Sequence, residues 1–208
     1  MSKLDTKERI ILAASNLFWT YGIRNVKMDD IANELSISKK TIYQFFKDKN
    51  EIVTISVKSL LEKERMFIEE KIEQSVDAMD ELFISIEYFK KFFRTLNPSL
   101  LTDLENHYPE AWEVYLYYKE SCFKYSLISS MKRGIREGIF RDDFDIEIMA
   151  RMRMQQVQFA FDSKVFPLQD FDFFEIQIQF IEHFVLGIST IKGFERIQAY
   201  RESQKKKT

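Results

Sequence analysis

The sequence predicts an all-α chain, and three observations carry that expectation. Turn residues are scarce, since 208 residues hold only five Gly and three Pro, too few for the many tight connections of a sandwich, a barrel or a doubly wound sheet. Apolar residues recur at helical spacing and nowhere alternate over a useful length. Capping residues stand at the head of several of these segments. With 45% hydrophobic and 31% charged residues, the chain has the balance of a folded protein and not of a disordered one. Its 20 Phe and 9 Tyr must therefore pack between helices.

The elements follow in order. Asp5 and Glu8 form a capping-box pair ahead of Ile10, Ala14, Leu17, Phe18 and Tyr21, which share one helical face, and Gly22 ends that helix. A short helix from about Met28 to Leu35 turns Ile31, Ala32 and Leu35 inward and places Asp29 and Asp30 near its positive end. Ser36 and Ile37 make a tight turn, Ser38 caps a third helix, and the run to Phe46 supplies Ile42, Phe45 and Phe46. Asp48 and Glu51 repeat the capping pattern and open a long helix to about Glu73. Further helices are expected from about Met79 to Leu96, Pro98 to Asn106, Pro109 to Glu137, Asp145 to Ser163 and Asp170 to Lys192. Pro98, Pro109 and Pro167 suit helix starts, where a missing N–H is no loss, and Gly134 and Gly138 suit the end of the long middle helix.

Charge and composition narrow the function classes. Residues 1–50 hold nine Lys and Arg against six Asp and Glu, while 51–208 hold 22 against 27, so a nucleic-acid contact has to come from the front of the chain. A single cysteine, Cys122, rules out an intramolecular disulfide and fits a cytoplasmic protein. The uncharged run from Ile10 to Ile23 is 14 residues long, interrupted by polar side chains and too short to span a bilayer. His107 and His183, the two histidines, stand far apart without metal-ligand spacing or a nucleophile partner, and no glycine-rich phosphate loop occurs. The expectation is a chain that is not an enzyme, with no catalytic residues, metal or cofactor.

Function is legible between about residues 27 and 46, which have helix-turn-helix anatomy. Ile31, Leu35, Ile37 and Ile42 lock two short helices together, with the small Ala32 at their crossing. Lys39, Lys40, Thr41, Tyr43 and Gln44 are left along the opposite side of the second helix, and Lys47 and Lys49 flank its exit. Lysines neutralise phosphates while Thr, Tyr and Gln reach phosphates or base edges, so this face suits the major groove of DNA. The alternative for the residues by themselves is three packed helices with a solvated basic face.

The run Met28-Asp-Asp-Ile-Ala, followed by Leu35-Ser-Ile-Ser-Lys-Lys-Thr-Ile-Tyr-Gln-Phe-Phe-Lys-Asp-Lys49, resembles the tetracycline-repressor (TetR) family of bacterial transcription regulators over about the first quarter of the chain. The resemblance implies a helix-turn-helix DNA-binding domain at 1–50, a helical ligand-binding and dimerisation domain at 51–208, and a homodimer on operator DNA. Carried over by position, Lys39, Lys40, Thr41, Tyr43 and Gln44 would lie on the recognition helix. Tyr43 would meet a phosphate, Lys49 the DNA backbone, and Lys27 the entrance of the preceding helix. The chain departs from the family at three of these places: Lys27 stands where Ser or Thr is common, Ser36 replaces a common glycine, and Phe45 replaces a frequent histidine.

The larger domain carries aromatic side chains beyond what a simple bundle needs, and Phe83, Phe92, Trp112, Tyr115 and Phe159 are candidates to line a pocket for a small apolar or amphipathic ligand. Ordinary core packing is the alternative. Arg151, Arg153, Gln155, Gln156 and Gln158 share a helix, and one of them facing inward could orient a carboxylate; a surface or subunit hydrogen bond is the plainer role. Broad apolar faces at about 145–163 and 170–192 would pair with their copies in a dimer or close the monomer's own core. Two readings of function stay open: a repressor released from operator DNA by a small molecule, and a DNA-binding structural or protein-interaction regulator with no small-molecule inducer.

Overall fold

A computed structural model describes residues 5–167 and 169–205. The chain is all-α: α1 (Thr6–Tyr21), α2 (Met28–Glu34), α3 (Lys39–Tyr43), α4 (Lys49–Gln74), α5 (Ala78–Thr95), α6 (Leu100–His107), α7 (Pro109–Tyr118), α8 (Lys124–Arg136), α9 (Ile146–Phe159), α10 (Phe173–Ile188) and α11 (Ile191–Lys205), with a π-helical turn at Lys119–Phe123 between α7 and α8. Among the described residues the only extended pairing is a single bridge between Phe140 and Ser189.

The chain divides into two compact units, one made of Met1–Met66 with Thr95–Tyr118, the other of Phe67–Arg94 with Lys119–Thr208. In the first unit α1 begins at the expected capping box: the Glu8 N–H donates to Asp5 Oδ1 at 2.8 Å and the Asp5 N–H to Glu8 Oε2 at 3.0 Å. Ile10, Ala13, Ala14 and Phe18 bury its inner face, and Gly22 leaves the helix at φ 85°, where a side chain would be strained. The loop after α5 grips the end of α1, with the Asn97 N–H donating to Trp19 O at 2.8 Å. Asp103 of α6 accepts from the Arg24 N–H at 3.3 Å.

The second unit is built on Ala78, Met79, Met131, Ile139, Phe140, Ala150, Ile181, Phe184, Val185, Ile188 and Ile197. Asp145 and Asp172 cap α9 and α10 by accepting from the Ile148 and Glu175 N–H groups at 2.9 and 3.0 Å. Four details differ from the sequence expectation. The middle helix is not one α-helix, because the π turn interrupts it. The expected helix to Lys192 ends instead at Ile188, where Ser189 turns extended and pairs with Phe140, and a separate α11 follows. Pro167 lies well before α10, and the start is set by Asp172. Gly134 sits inside α8 and not at its end; a β-carbon there would lie 2.1 Å from the Phe140 ring, so the glycine makes room for that ring. Gly138 does follow the helix end, at φ 68°.

Candidate nucleic-acid interface

In the first unit, helices α2 and α3 and the turn between them form the expected helix-turn-helix, closed on the inside by Ile31, Ala32, Ile42 and Phe46. No Ser or Thr caps α2. Asp30 takes over from inside the helix, its carboxylate accepting from the Lys27 N–H at 2.6 Å. This is the returning half of a capping box, and it leaves the Lys27 side chain exposed. The turn is held by the Ile37 N–H on Ala32 O at 3.0 Å and the Ser36 N–H on Asn33 O at 3.1 Å. To make it, Ser36 adopts φ 54°, the left-handed conformation that glycine takes most readily.

Helix α3 is one and a half turns long, and Ser38 organises it. Its hydroxyl accepts from the Thr41 N–H at 3.1 Å and shares a second hydrogen bond with the Thr41 hydroxyl at 2.8 Å. Ile42 alone in α3 is buried. Lys39, Lys40 and Gln44 are exposed, Tyr43 keeps 48% of its surface and Thr41 is half-buried. Four of the candidate DNA contacts thus lie on one short, capped helix, and Gln44 is its C-cap residue. Phe45, which stands where the family often has histidine, is 38% exposed just beyond it. Its neighbour Phe46 is buried, and since the two adjoin in sequence, hydropathy gave no sign of which would face out.

Two lysines are already engaged. The Lys39 ammonium lies 2.9 Å from Asp29 Oδ2, and the hydrogen bond to that carboxylate holds the lysine above its ordinary pKa. The Lys49 ammonium turns inward, donating to Ile23 O at 2.5 Å and lying 5.8 Å from the centres of both the Phe18 and Tyr108 rings. Burial there lowers its pKa. In this arrangement Lys49 ties the start of α4 to the loop after α1. The α4 start is also capped as expected, with the Glu51 N–H on Asp48 Oδ1 at 3.0 Å and the Lys47 N–H on Glu51 Oε2 at 2.7 Å.

The candidate ligand-lining residues fall into separate aromatic groupings. In the first unit, Trp112 stacks on Tyr115 with ring centres 5.0 Å apart, and burial pushes the Tyr115 hydroxyl up to about 12. In the second, Phe83 stacks on Tyr200 at 3.8 Å, Phe92 lies 6.5 Å from Tyr88, and Phe159 lies 5.5 Å from Phe166 and 6.3 Å from Phe180. Phe159 remains 46% exposed. Of the polar residues on α9, Arg153 is buried, whereas Arg151 and Gln155 are exposed. No group of three or more His, Cys, Asp or Glu that could hold a metal occurs among the described residues. Nor, among them, is any helix long and apolar enough to cross a membrane.

Residues 10–54 match the family of bacterial regulatory proteins described as the tetR family. The HTH-type transcriptional regulator YhgD of Bacillus subtilis (strain 168) is 26% identical over 136 residues, covering 65% of this chain and 70% of that protein. A TetR-family regulator from Agrobacterium tumefaciens superimposes with a TM-score of 0.72 at 18% identity, over 88% of this chain and 97% of its own. A transcriptional regulator from Saccharomonospora viridis in complex with choline gives 0.71 at 17%, over 88% and 97%. The regulator FadR from Bacillus subtilis in complex with stearoyl-CoA gives 0.60 at 20%, over 86% and 98%. Such identities establish a shared fold and leave ligand chemistry open.

Proposed function

We propose that this chain is a DNA-binding, helix-turn-helix transcription regulator of the TetR family and not an enzyme, a reading supported by the tetR-family match at residues 10–54 and the similarity to YhgD, and that it is a cytoplasmic homodimeric repressor released from its operator by a small molecule. The observation that carries the reading is the makeup of α3. Ser38 fixes the helix, Ile42 anchors it, and Lys39, Lys40, Tyr43 and Gln44 stand free of the core. The lysines would neutralise phosphates, Tyr43 would donate to one, and Thr41 and Gln44 would reach phosphates or base edges. Lys27 would add charge at the entrance of α2. Lys49 would act through the α4 start that it fastens, or reach the backbone on giving up Ile23 O.

A homodimer through about 145–163 and 170–192 would place two recognition helices roughly 34 Å apart, one turn of DNA, on a near-palindromic operator. The exposed Ile148, Met152, Leu186, Ile191 and Phe194 along α9 to α11 support a face of that kind. Release would be a population shift: ligand binds better to a state in which α4 holds the two recognition helices at the wrong spacing. One structural relative holds choline and another stearoyl-CoA, so the fold accommodates unlike guests and an unidentified apolar or amphipathic ligand is in keeping with it. The 1–50 module would bind DNA while 51–208 senses and dimerises.

The test is fluorescence anisotropy of the full chain on its own upstream DNA across a salt series, beside the Lys39→Ala/Lys40→Ala double variant. Specific binding that falls steeply with salt, and is weakened by at least tenfold in the variant at equal helix content, supports the reading. A folded dimer that selects no sequence from a random pool overturns it.

A further inference from the structure

In α9 the residues Ala150, Arg153 and Met154 follow the i, i+3, i+4 spacing of an inward stripe, and all three are buried. A guanidinium therefore occupies a position that helical packing reserves for an apolar side chain. Arg153 is 7% exposed, its Nη1 is fully buried with no hydrogen-bond partner, and it forms no ion pair with any described residue. On α10, Gln177 is wholly buried at a core position. Its amide N–H donates to Val157 O at 3.0 Å, one turn along α9 from Arg153, while its Oε1 has no partner. Gln156, one turn from Arg153 on the same flank of α9, likewise has a buried Oε1 without a partner.

Buried polar groups are ordinarily satisfied, and a buried charge is ordinarily paired. Here one cation and two amide oxygens, on two packed helices, are all left open. Burial with no anion nearby holds the guanidinium down to about 10, so it remains charged at neutral pH. Its missing partner is an anion, and one uncompensated charge calls for one negative charge; a planar carboxylate matches the guanidinium fork.

We propose that Arg153, with Gln156 and Gln177, forms the head-group site for a monoanionic carboxylate on an apolar or aromatic body, the acid docking on the guanidinium and a neighbouring hydroxyl or amide N–H of the guest donating to the glutamine oxygens. This rests on the ligand-responsive reading above and names the chemistry of its ligand.

The test uses the full chain and its Arg153→Met and Arg153→Lys variants. The probes are benzoate, 4-phenylbutyrate and decanoate, each beside its methyl ester and the amine of the same skeleton. Thermal unfolding and calorimetric titration are read without DNA, and anisotropy on operator DNA is read separately. The expected result has two parts. At least one carboxylate raises the wild-type melting temperature while its ester and amine do not, and its affinity falls at least tenfold in both variants. Without any probe, Arg153→Met melts no lower than wild type, because methionine fills the stripe without an unpaired charge. Arg153→Met melting well below wild type while Arg153→Lys does not would show a structural cation and overturn the assignment, as would carboxylates that bind variants and wild type alike, or none binding at all. Neutral probes that release DNA regardless of Arg153 would sink this inference and leave the repressor reading intact. A carboxylate that binds at Arg153 without changing DNA affinity would do the reverse.

Discussion

The Lys39 ammonium lies 2.9 Å from the Asp29 carboxylate, bridging α3 to α2. Both side chains are largely exposed, so the pair adds little to stability, between about 0 and 1 kcal/mol. If α3 meets DNA as proposed, a phosphate that recruits Lys39 has to displace Asp29, whose own charge would repel the DNA. Asp29→Asn is expected to raise operator affinity by about threefold at low salt, corresponding to about 0.6 kcal/mol within that range, and the gain should shrink as salt rises. Anisotropy at two ionic strengths checks this. Weaker binding in Asp29→Asn would mean instead that the carboxylate holds Lys39 in its binding position.

Ser36 stands at φ 54° in the turn between α2 and α3. A non-glycine residue there is strained by about 1–2 kcal/mol, and glycine would relieve that while losing about 0.5–1 kcal/mol of chain entropy. The difference favours Ser36→Gly, by about 0.5–1 kcal/mol. Its melting temperature should exceed that of wild type and of Ser36→Ala, which keeps the β-carbon. Equal stability of all three would place the strain elsewhere.

The front module was legible because its signals are local. Asp5 with Glu8, Ser38 with Thr41, and Asp48 with Glu51 each lie three residues apart and each makes its cap, so sequence spacing alone carried the geometry. The lysines show the limit of that reasoning. Lys39, Lys40 and Lys49 look alike as letters, yet Lys49 finds Ile23 O, 26 positions away, and is drawn off the surface. The same holds in the second unit. Ser189 interrupts what reads as one helix because Phe140, 49 positions earlier, pairs with it, and Gly134 resembles a stop signal until the Phe140 ring is seen against it. Arg153 was among five polar candidates on one helix, and only packing distinguished it.

Two glycine substitutions in helices of the second unit should move stability in opposite directions. A β-carbon at Gly134 would lie 2.1 Å from the Phe140 ring, whereas one at Gly187 meets nothing within 4 Å. Phe140 is a core residue with little room to retreat. Overpacking of this kind costs about 1–3 kcal/mol, more than the roughly 1 kcal/mol that alanine gains over glycine in a helix. Gly134→Ala should therefore lose up to about 2 kcal/mol, while Gly187→Ala near the end of α10 should gain about 0.5 kcal/mol. Urea unfolding of both variants decides the matter. If Gly134→Ala proves neutral, the Phe140 ring has another place to go.

Glu81 supplies a pH dependence whose sign can be worked out. Its carboxyl is buried, and that burial raises its pKa above the ordinary carboxylate value, against the opposing pull of Ser130 and of Arg133, whose Nη1 lies 3.4 Å away. Arg133 is shared, since it also donates to Glu137 Oε1 at 2.8 Å and to Ser75 Oγ at 2.6 Å, so Glu81 receives only part of its charge. A carboxyl whose pKa is higher folded than unfolded binds its proton more tightly in the native state. Its favourable contribution is complete below the unfolded value near 4.5 and is lost as pH rises from there through the raised native value. Glu81→Gln retains an acceptor for Arg133 and removes the titration. Urea midpoints of the two proteins should therefore lie closest near pH 4 and separate in favour of the variant towards pH 7, other groups cancelling in the difference. The opposite trend, with the variant weakening relative to wild type as pH rises, would mean that attraction to Arg133 outweighs burial at this site.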